Sequence, residues 1–250
     1  MRDRFVKTEN ATRFLAGLDE LGRRGAEEAC LMVVDGVPGL GKTEVIEWCA
    51  TQQGWLFIRC KKNWRPAWML RDLLAALRVQ PAHTFERMYA QTLEALSARA
   101  RAAERDGEIF AVVLDEVDHI ARSEQMLETV RDLSDMLEIP FILVGMGRVR
   151  HALTRYPQIA SRVGRYVEFQ PASLTDVKAL AAGLCEVEVA DDLVAFLHRA
   201  SDGLIREIKE GLNKIEAFGK RNPGPVTVKA MTGQLILNDR RTGAAILVRD

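Results

Sequence analysis

Eight consecutive residues, Gly36-Val37-Pro38-Gly39-Leu40-Gly41-Lys42-Thr43, match the spacing GxxxxGK[ST] without departure. The chemistry such a run can do is to hold a triphosphate. Successive backbone N–H groups of the loop turn inward as an anion nest, and a helix beginning at the loop's end adds its positive pole. Lys42 is expected to reach the β- and γ-phosphates, and the Thr43 hydroxyl to ligate magnesium. A second constellation lies where the apolar run IFAVVL ends in Asp115-Glu116. Asp115 is expected to hold the magnesium through water, and Glu116 to polarise the attacking water as general base. Together the two segments read as ATP binding and hydrolysis with Mg2+. Asp118 reads either as a support behind this pair or as a helix N-cap. His119 reads as an ordinary surface histidine.

Such residues need a scaffold that brings them to one place. Short apolar runs at 30–34, 55–60, 109–114, 141–145 and 166–169 are nearly continuous and rich in β-branched and aromatic residues. That is the pattern of strands buried on both faces of a parallel sheet. Helical period fills the intervals, at about 8–24, 42–53, 66–78, 84–105, 120–137 and 147–156. The alternation predicts an α/β fold with a mostly parallel sheet, and ligands of such sheets bind beyond the carboxyl ends of the strands. After Gln170 the pattern changes to helical period alone as far as Gly219. Ser173 caps one helix with Asp176 returning the bond. Ala190-Asp191-Asp192 opens another, and Ser201-Asp202-Gly203 breaks the chain before a third. Asn222-Pro223-Gly224-Pro225 is a loop, and the last 25 residues fit no single pattern. The expected division is an α/β nucleotide-binding domain over 1–170 and a smaller helical domain over 171–250.

Composition narrows the function further. Lysine plus arginine and aspartate plus glutamate both number 35, so the formal net charge is zero. Any contact with nucleic acid must come from a local basic patch and not from bulk charge. Cys30, Cys49, Cys60 and Cys185 form no CxxC pair and do not group with the histidines, which argues against a zinc site or a disulfide framework. Cys30 and Cys60 read as small apolar residues of strands. The N-terminal stretch MRDRFVKTENATRF has no apolar core of a signal peptide. The apolar runs fall well short of the ~20 residues that span a bilayer. These features point to a cytoplasmic chain, in a bacterium or a phage-infected host, with no membrane partner.

The pair of motifs followed by a helical part resembles the AAA+ ATPases, P-loop proteins with an α/β nucleotide domain and a small C-terminal helical lid. The resemblance covers most of the chain and implies two further site residues. One is an arginine finger given to a neighbouring subunit, which stabilises charge on the transferring phosphoryl group. Ser161-Arg162-Val163 resembles the family's Ser-Arg box, so the resemblance points to Arg162, with Arg165 second. The other is a lid arginine that senses the γ-phosphate. Gly203-Leu204-Ile205-Arg206 resembles the family's Gly-x-x-Arg, with Arg206 in that place. One position departs from the family: the strand FILVG is followed by Met146, where a polar residue is usual. That departure implies slow or partner-dependent hydrolysis. Phe5 and Val6 fall where related ATPases cover the adenine, and packing against the sheet is the alternative reading.

In layout the segments FVKTEN, GVPGLGKTE, FILVGMGRV and PQIASRVGRYVEFQP are similar to the ATPase subunits of DNA transposition systems, the phage Mu B family. That resemblance implies an ATP-dependent homo-oligomer or filament on duplex DNA, which delivers target DNA to a transposase and so regulates transposition. In the segment 59–68, Lys61, Lys62 and Arg65 sit with Trp64 and Trp68. Cations there can meet phosphates while the aromatics stack on bases. The alternative is that both tryptophans pack on the next helix and the charges are solvated. The competing functional readings are a nucleotide-gated signalling or scaffold module, and a remodeller of protein partners that binds no DNA. A small-molecule kinase gives no reason for the helical part.

Overall fold

A computed structural model describes every residue of the chain except Glu27 and Asp250. The described residues divide into two compact units, and each is built by its own logic. The first comprises 13–37 and 42–169; the second comprises 1–12, 38–41 and the chain from 170 onward.

The first unit is an all-parallel five-stranded sheet. Its strands are β1 (Leu31–Asp35), β2 (Leu56–Arg59), β3 (Val112–Asp115), β4 (Phe141–Val144) and β5 (Val163–Glu168), in the spatial order β2-β3-β4-β1-β5. Strands β1, β3 and β4 occupy the middle and are buried along nearly their whole length, which is why they read as unbroken apolar runs. The parallel sheet is thus the one expected from sequence. Its helices are α1 (Glu9–Gly22, which begins in the second unit), α2 (Lys42–Gln53), α3 (Pro66–Ala76), α4 (Phe85–Arg105), α5 (Glu124–Leu137), α6 (Val149–Leu153) and α7 (Pro157–Ala160). Caps set several of their starts. The Thr84 hydroxyl accepts from Arg87 N–H to begin α4. Ser123 accepts from Met126 N–H and delays α5 to residue 124, four residues after the expected start at 120, and a 3-10 turn over Val117–His119 precedes it. Cys30 and Cys60 stand one residue outside β1 and β2; all four cysteines are buried, and burial pushes their thiols upward.

The second unit holds α8 (Leu174–Leu184), α9 (Asp191–Ala200), α10 (Ile205–Gly219) and α11 (Val228–Met231), with an antiparallel hairpin of β6 (Leu235–Asn238) and β7 (Ala245–Leu247). The hairpin is the content of the stretch that fitted no single pattern. Ser173 and Asp176 form the reciprocal capping box of α8. Asp202 and Gly203 both take left-handed backbone and separate α9 from α10. Val6 packs into this unit's apolar cluster, against Gly183 of α8. Among the described residues no helix is long and apolar enough to cross a membrane.

A buried carboxylate ties this unit together. Glu216 accepts from the Met1 ammonium at 3.0 Å, from Lys220 at 3.0 Å and from Glu186 N–H at 2.8 Å. Burial alone would raise its pKa, but these donors outweigh that and lower it from 4.5 to about 2. The folded value lies below the unfolded one. The stabilisation is therefore complete above about pH 4.5 and is lost as pH falls toward 2. Glu216→Gln should lose on the order of 2 kcal/mol at pH 7 and flatten the acid limb of the stability curve. Urea melts of both proteins at pH 7 and pH 3 check this, and parallel losses at the two pH values would contradict it.

Candidate functional site

The site is assembled at the carboxyl ends of β1, β3 and β4. Because β4 lies between β3 and β1, the segment after β1 and the acids after β3 flank one strand. Lys42 opens α2 and is 7% exposed. Its ammonium donates to Gly36 O at 2.6 Å and to Val37 O at 2.9 Å. Burial lowers its pKa, while the nearby charges of Asp35, Asp115 and Asp118 oppose that shift. Thr43 Oγ1 donates to Asp115 Oδ2 at 3.0 Å, and this contact joins the two sequence motifs. The hydroxyl and the carboxylate form an oxygen pair of the kind a hard cation such as magnesium takes.

Glu116 follows in left-handed backbone, φ 57°, with its N–H donating to Asp115 Oδ1 at 2.8 Å. Glu116 Oε1 lies 3.6 Å from Arg59 Nε, and its other oxygen 3.5 Å from His119 Nε2. Arg59 also stands 3.9 Å from Asp115. Sequence reasoning placed Arg59 only in a basic segment; its position at the end of β2, beside β3, is what brings it to the acids. Asp35 was not anticipated at all. It ends β1, and its Oδ1 accepts from Gly36 N–H at 3.0 Å and from Gly147 N–H. A carboxylate immediately before a phosphate-binding motif is the signal that marks it. Asp118 is a support and not a helix cap, since its Oδ2 accepts from Met146 N–H at 2.8 Å.

The apex of the loop, Pro38–Gly41, groups with the second unit. Gly39 and Gly41 have φ of 98° and 81°, a backbone that side chains resist. Gly39 O accepts from Arg206 N–H at 3.2 Å, and Ile205 carbons stand 3.4 Å from where a Cβ on Gly41 would be. Arg206 is exposed at the start of α10. Its neighbour Glu207 pairs with Arg240 of the hairpin turn at 3.2 Å.

The remaining candidates lie elsewhere. Arg162 precedes β5, its carbonyl accepting from Leu31 N–H, so it sits at the amino end of the sheet, the edge opposite Asp115. It pairs with Asp135 at 2.8 Å, and Arg165 pairs with Glu20. In the basic segment Lys61 is paired with Asp72 at 2.6 Å. Trp64, 7% exposed, donates to the same carboxylate at 2.9 Å. Trp64 thus packs on α3, while Trp68, 50% exposed, does not, and Lys62 and Arg65 are exposed beside it.

With this geometry in hand, comparison with known proteins is informative. Residues 24–153 match the family model described as the AAA domain. The chromosomal replication initiator proteins DnaA of two Chloroflexus aurantiacus strains are each 25% identical, over 87% of this chain and 47% of their own length. The chain therefore spans about half the length of the curated relatives it matches. Among solved structures, Cdc6p of Pyrobaculum aerophilum superposes with a TM-score of 0.61 and 16% identity, over 92% of this chain and 68% of that one. The ORC1 protein of Aeropyrum pernix, solved in complex with DNA, gives 0.60 and 16%, over 92% of this chain and 64% of that one. At such identity the likeness is one of fold, the α/β plan of P-loop AAA+ proteins.

The Thr43–Asp115 pair makes a direct prediction. Asp115→Asn keeps an acceptor for the Thr43 hydroxyl but removes the charge. Nucleotide affinity without magnesium should stay within about threefold, while the gain in affinity on adding magnesium should be lost. Titration with a fluorescent nucleotide, with and without the metal, measures both. An undiminished magnesium response would remove Asp115 from the metal site.

Proposed function

The chain belongs to the AAA domain family, and we propose that it is an ATPase that binds ATP with Mg2+, hydrolyses it, and oligomerises on duplex DNA. The observation that carries this reading is the 3.0 Å contact of Thr43 with Asp115 beside the buried ammonium of Lys42. Residues 36–43 hold the phosphates through their backbone N–H groups. Lys42 exchanges its two carbonyl partners for phosphate oxygens. Thr43 and Asp115 would hold magnesium, which when bound would neutralise charge on the phosphate oxygens. Glu116 takes the proton of the attacking water, with Arg59 and His119 fixing the direction of its carboxylate. Arg206, on the helix whose N–H bonds the loop apex, is the residue that senses the γ-phosphate.

Assembly follows from Arg162. At the opposite edge of the sheet it cannot serve its own site, so it serves a neighbour's in a head-to-tail array. Contact with DNA rests on Lys62, Arg65 and Trp68, the exposed members of the basic segment. The similarity to the chromosomal replication initiator proteins DnaA, and the likeness in fold to an ORC1 protein solved in complex with DNA, support a DNA partner. The further step, target-DNA capture for a transposase, rests on the similarity to the phage Mu B family. The second reading, a nucleotide-gated switch with little turnover, is favoured by Met146, an apolar residue 45% exposed on the turn after β4.

The test is ATP turnover with and without duplex DNA. Turnover should rise severalfold on DNA, and Lys42→Ala should lower nucleotide affinity by two orders of magnitude or more, ~3 kcal/mol of charge-assisted contacts. Glu116→Gln should bind ATP normally, stop hydrolysis and leave ATP-dependent assemblies on DNA visible by electron microscopy. Binding without turnover in the parent chain would favour the switch, and indifference to DNA would set aside the DNA partner.

A further inference from the structure

We propose that Asp35 is a positioning residue. It ties the turn after β4 to the entrance of the phosphate loop, while Asp118 holds the same turn from the β3 side. The inference rests on the ATPase reading above and assigns roles to two acids that reading leaves unused.

The sheet order supplies the need. Strand β4 lies between the strand that feeds the loop and the strand that carries Asp115 and Glu116. The turn Gly145-Met146-Gly147-Arg148 therefore stands between the entrance of the loop and the acids Asp115 and Glu116. Met146 gives it no polar side chain there, so its placement depends on backbone contacts. These come from both flanks. Gly145 N–H donates to Val34 O of β1 at 2.9 Å. Met146 N–H donates to Asp118 Oδ2 at 2.8 Å. Gly147 N–H donates to Asp35 Oδ1, which also accepts from Gly36 N–H, the first residue of the loop. Asp35 Oδ2 accepts from Arg150 N–H at 3.3 Å, at the start of α6. One carboxylate thus joins three backbone groups from two segments. There is little slack, because a Cβ on Gly145 would stand 3.1 Å from Asp118 Oδ2 and 2.0 Å from a Val149 methyl.

Charge argues that the role is geometric. A carboxylate beside a triphosphate opposes its binding. Asp35 therefore contributes by placing the turn, and removing its charge should leave affinity intact or improve it. Removing its acceptor oxygens should instead loosen the edge on which the water is aligned, where displacements of about 1 Å cost up to a hundredfold in rate.

The experiment uses the full chain with Asp35→Ala, Asp35→Asn and Asp118→Ala, reading Kd for ATP separately from kcat. Asp35→Ala should lower kcat by about tenfold or more with Kd within about threefold of the parent, and Asp35→Asn should recover most of the rate. Asp118→Ala should show the same split from the other flank, which keeps the idea testable if Asp35→Ala does not fold. A third readout is the emission of an indole introduced by Met146→Trp. It should change on ATP addition in the parent background and not with Asp35→Ala. Parental kcat in both alanine variants overturns the proposal, as does parallel loss of affinity and rate without recovery in Asp35→Asn. If the parent binds ATP without turning it over, the ATPase reading fails and the indole signal alone decides. An ATP response retained in Asp35→Ala, or absent from both backgrounds, then overturns the proposal.

Discussion

A buried ammonium governs the construction of this site. Lys42 is almost wholly withdrawn from water, and an unpaired charge there would cost several kcal/mol. The chain offsets that cost with two loop carbonyls and with acids drawn from different segments, Asp35 at the end of β1, Asp115 at the end of β3 and Asp118 in the turn beyond it. Such a set converges only if β1 and β3 end at the same edge with one strand between them, which is what the order β2-β3-β4-β1-β5 provides. The same charge that makes Lys42 expensive to bury makes it ready for phosphate. On the proposed reading a triphosphate would take over the ammonium, and the acids would then face one another without it.

That exchange explains why the acids are tied down by backbone donors. Asp115 accepts from Thr43 and from Glu116 N–H, Asp35 from three amides, and Asp118 from Met146 N–H. Hydrogen bonds to ionised carboxylates are the stronger kind, about 1.5–3 kcal/mol each. Three such bonds on Asp35, two on Asp115 and one on Asp118 hold the acids in place whether or not the lysine is beside them. The site is therefore preorganised by its anions as much as by its glycine-rich loop.

The sequence made the strands, the loop and the acid pair legible because each is a local pattern. An unbroken apolar run can only be a buried strand here, and GVPGLGKT needs no partner to be recognised. The capping box at Ser173 and Asp176 was equally local. What could not be read depends on which strand ends are neighbours. Arg59 reaches Glu116 because β2 pairs with β3, and Asp35 reaches Gly147 because β1 pairs with β4. Neither pairing is written in spacing. Trp64 and Lys61 escaped for a different reason: both converge on Asp72, a residue of the following helix, so one member of the basic segment is buried and another is ion-paired. The C-terminal hairpin escaped because its strands are short and half-exposed, with little alternation to detect.

Arg162 shows how magnitudes separate a resting contact from a working one. In the single chain it pairs with Asp135, with the two side chains 33% and 24% exposed. Ion pairs so open to solvent contribute about 0–1 kcal/mol. A desolvated guanidinium on a transferring phosphoryl group is worth far more, about three to five orders of magnitude in rate. On the proposed reading, the pair with Asp135 is weak enough to be given up when a neighbouring subunit presents its phosphate loop. Lying at the edge of the sheet away from its own Asp115, Arg162 is out of reach of its own acid pair. In the proposed head-to-tail assembly the carboxyl edge of one sheet would face the amino edge of the next.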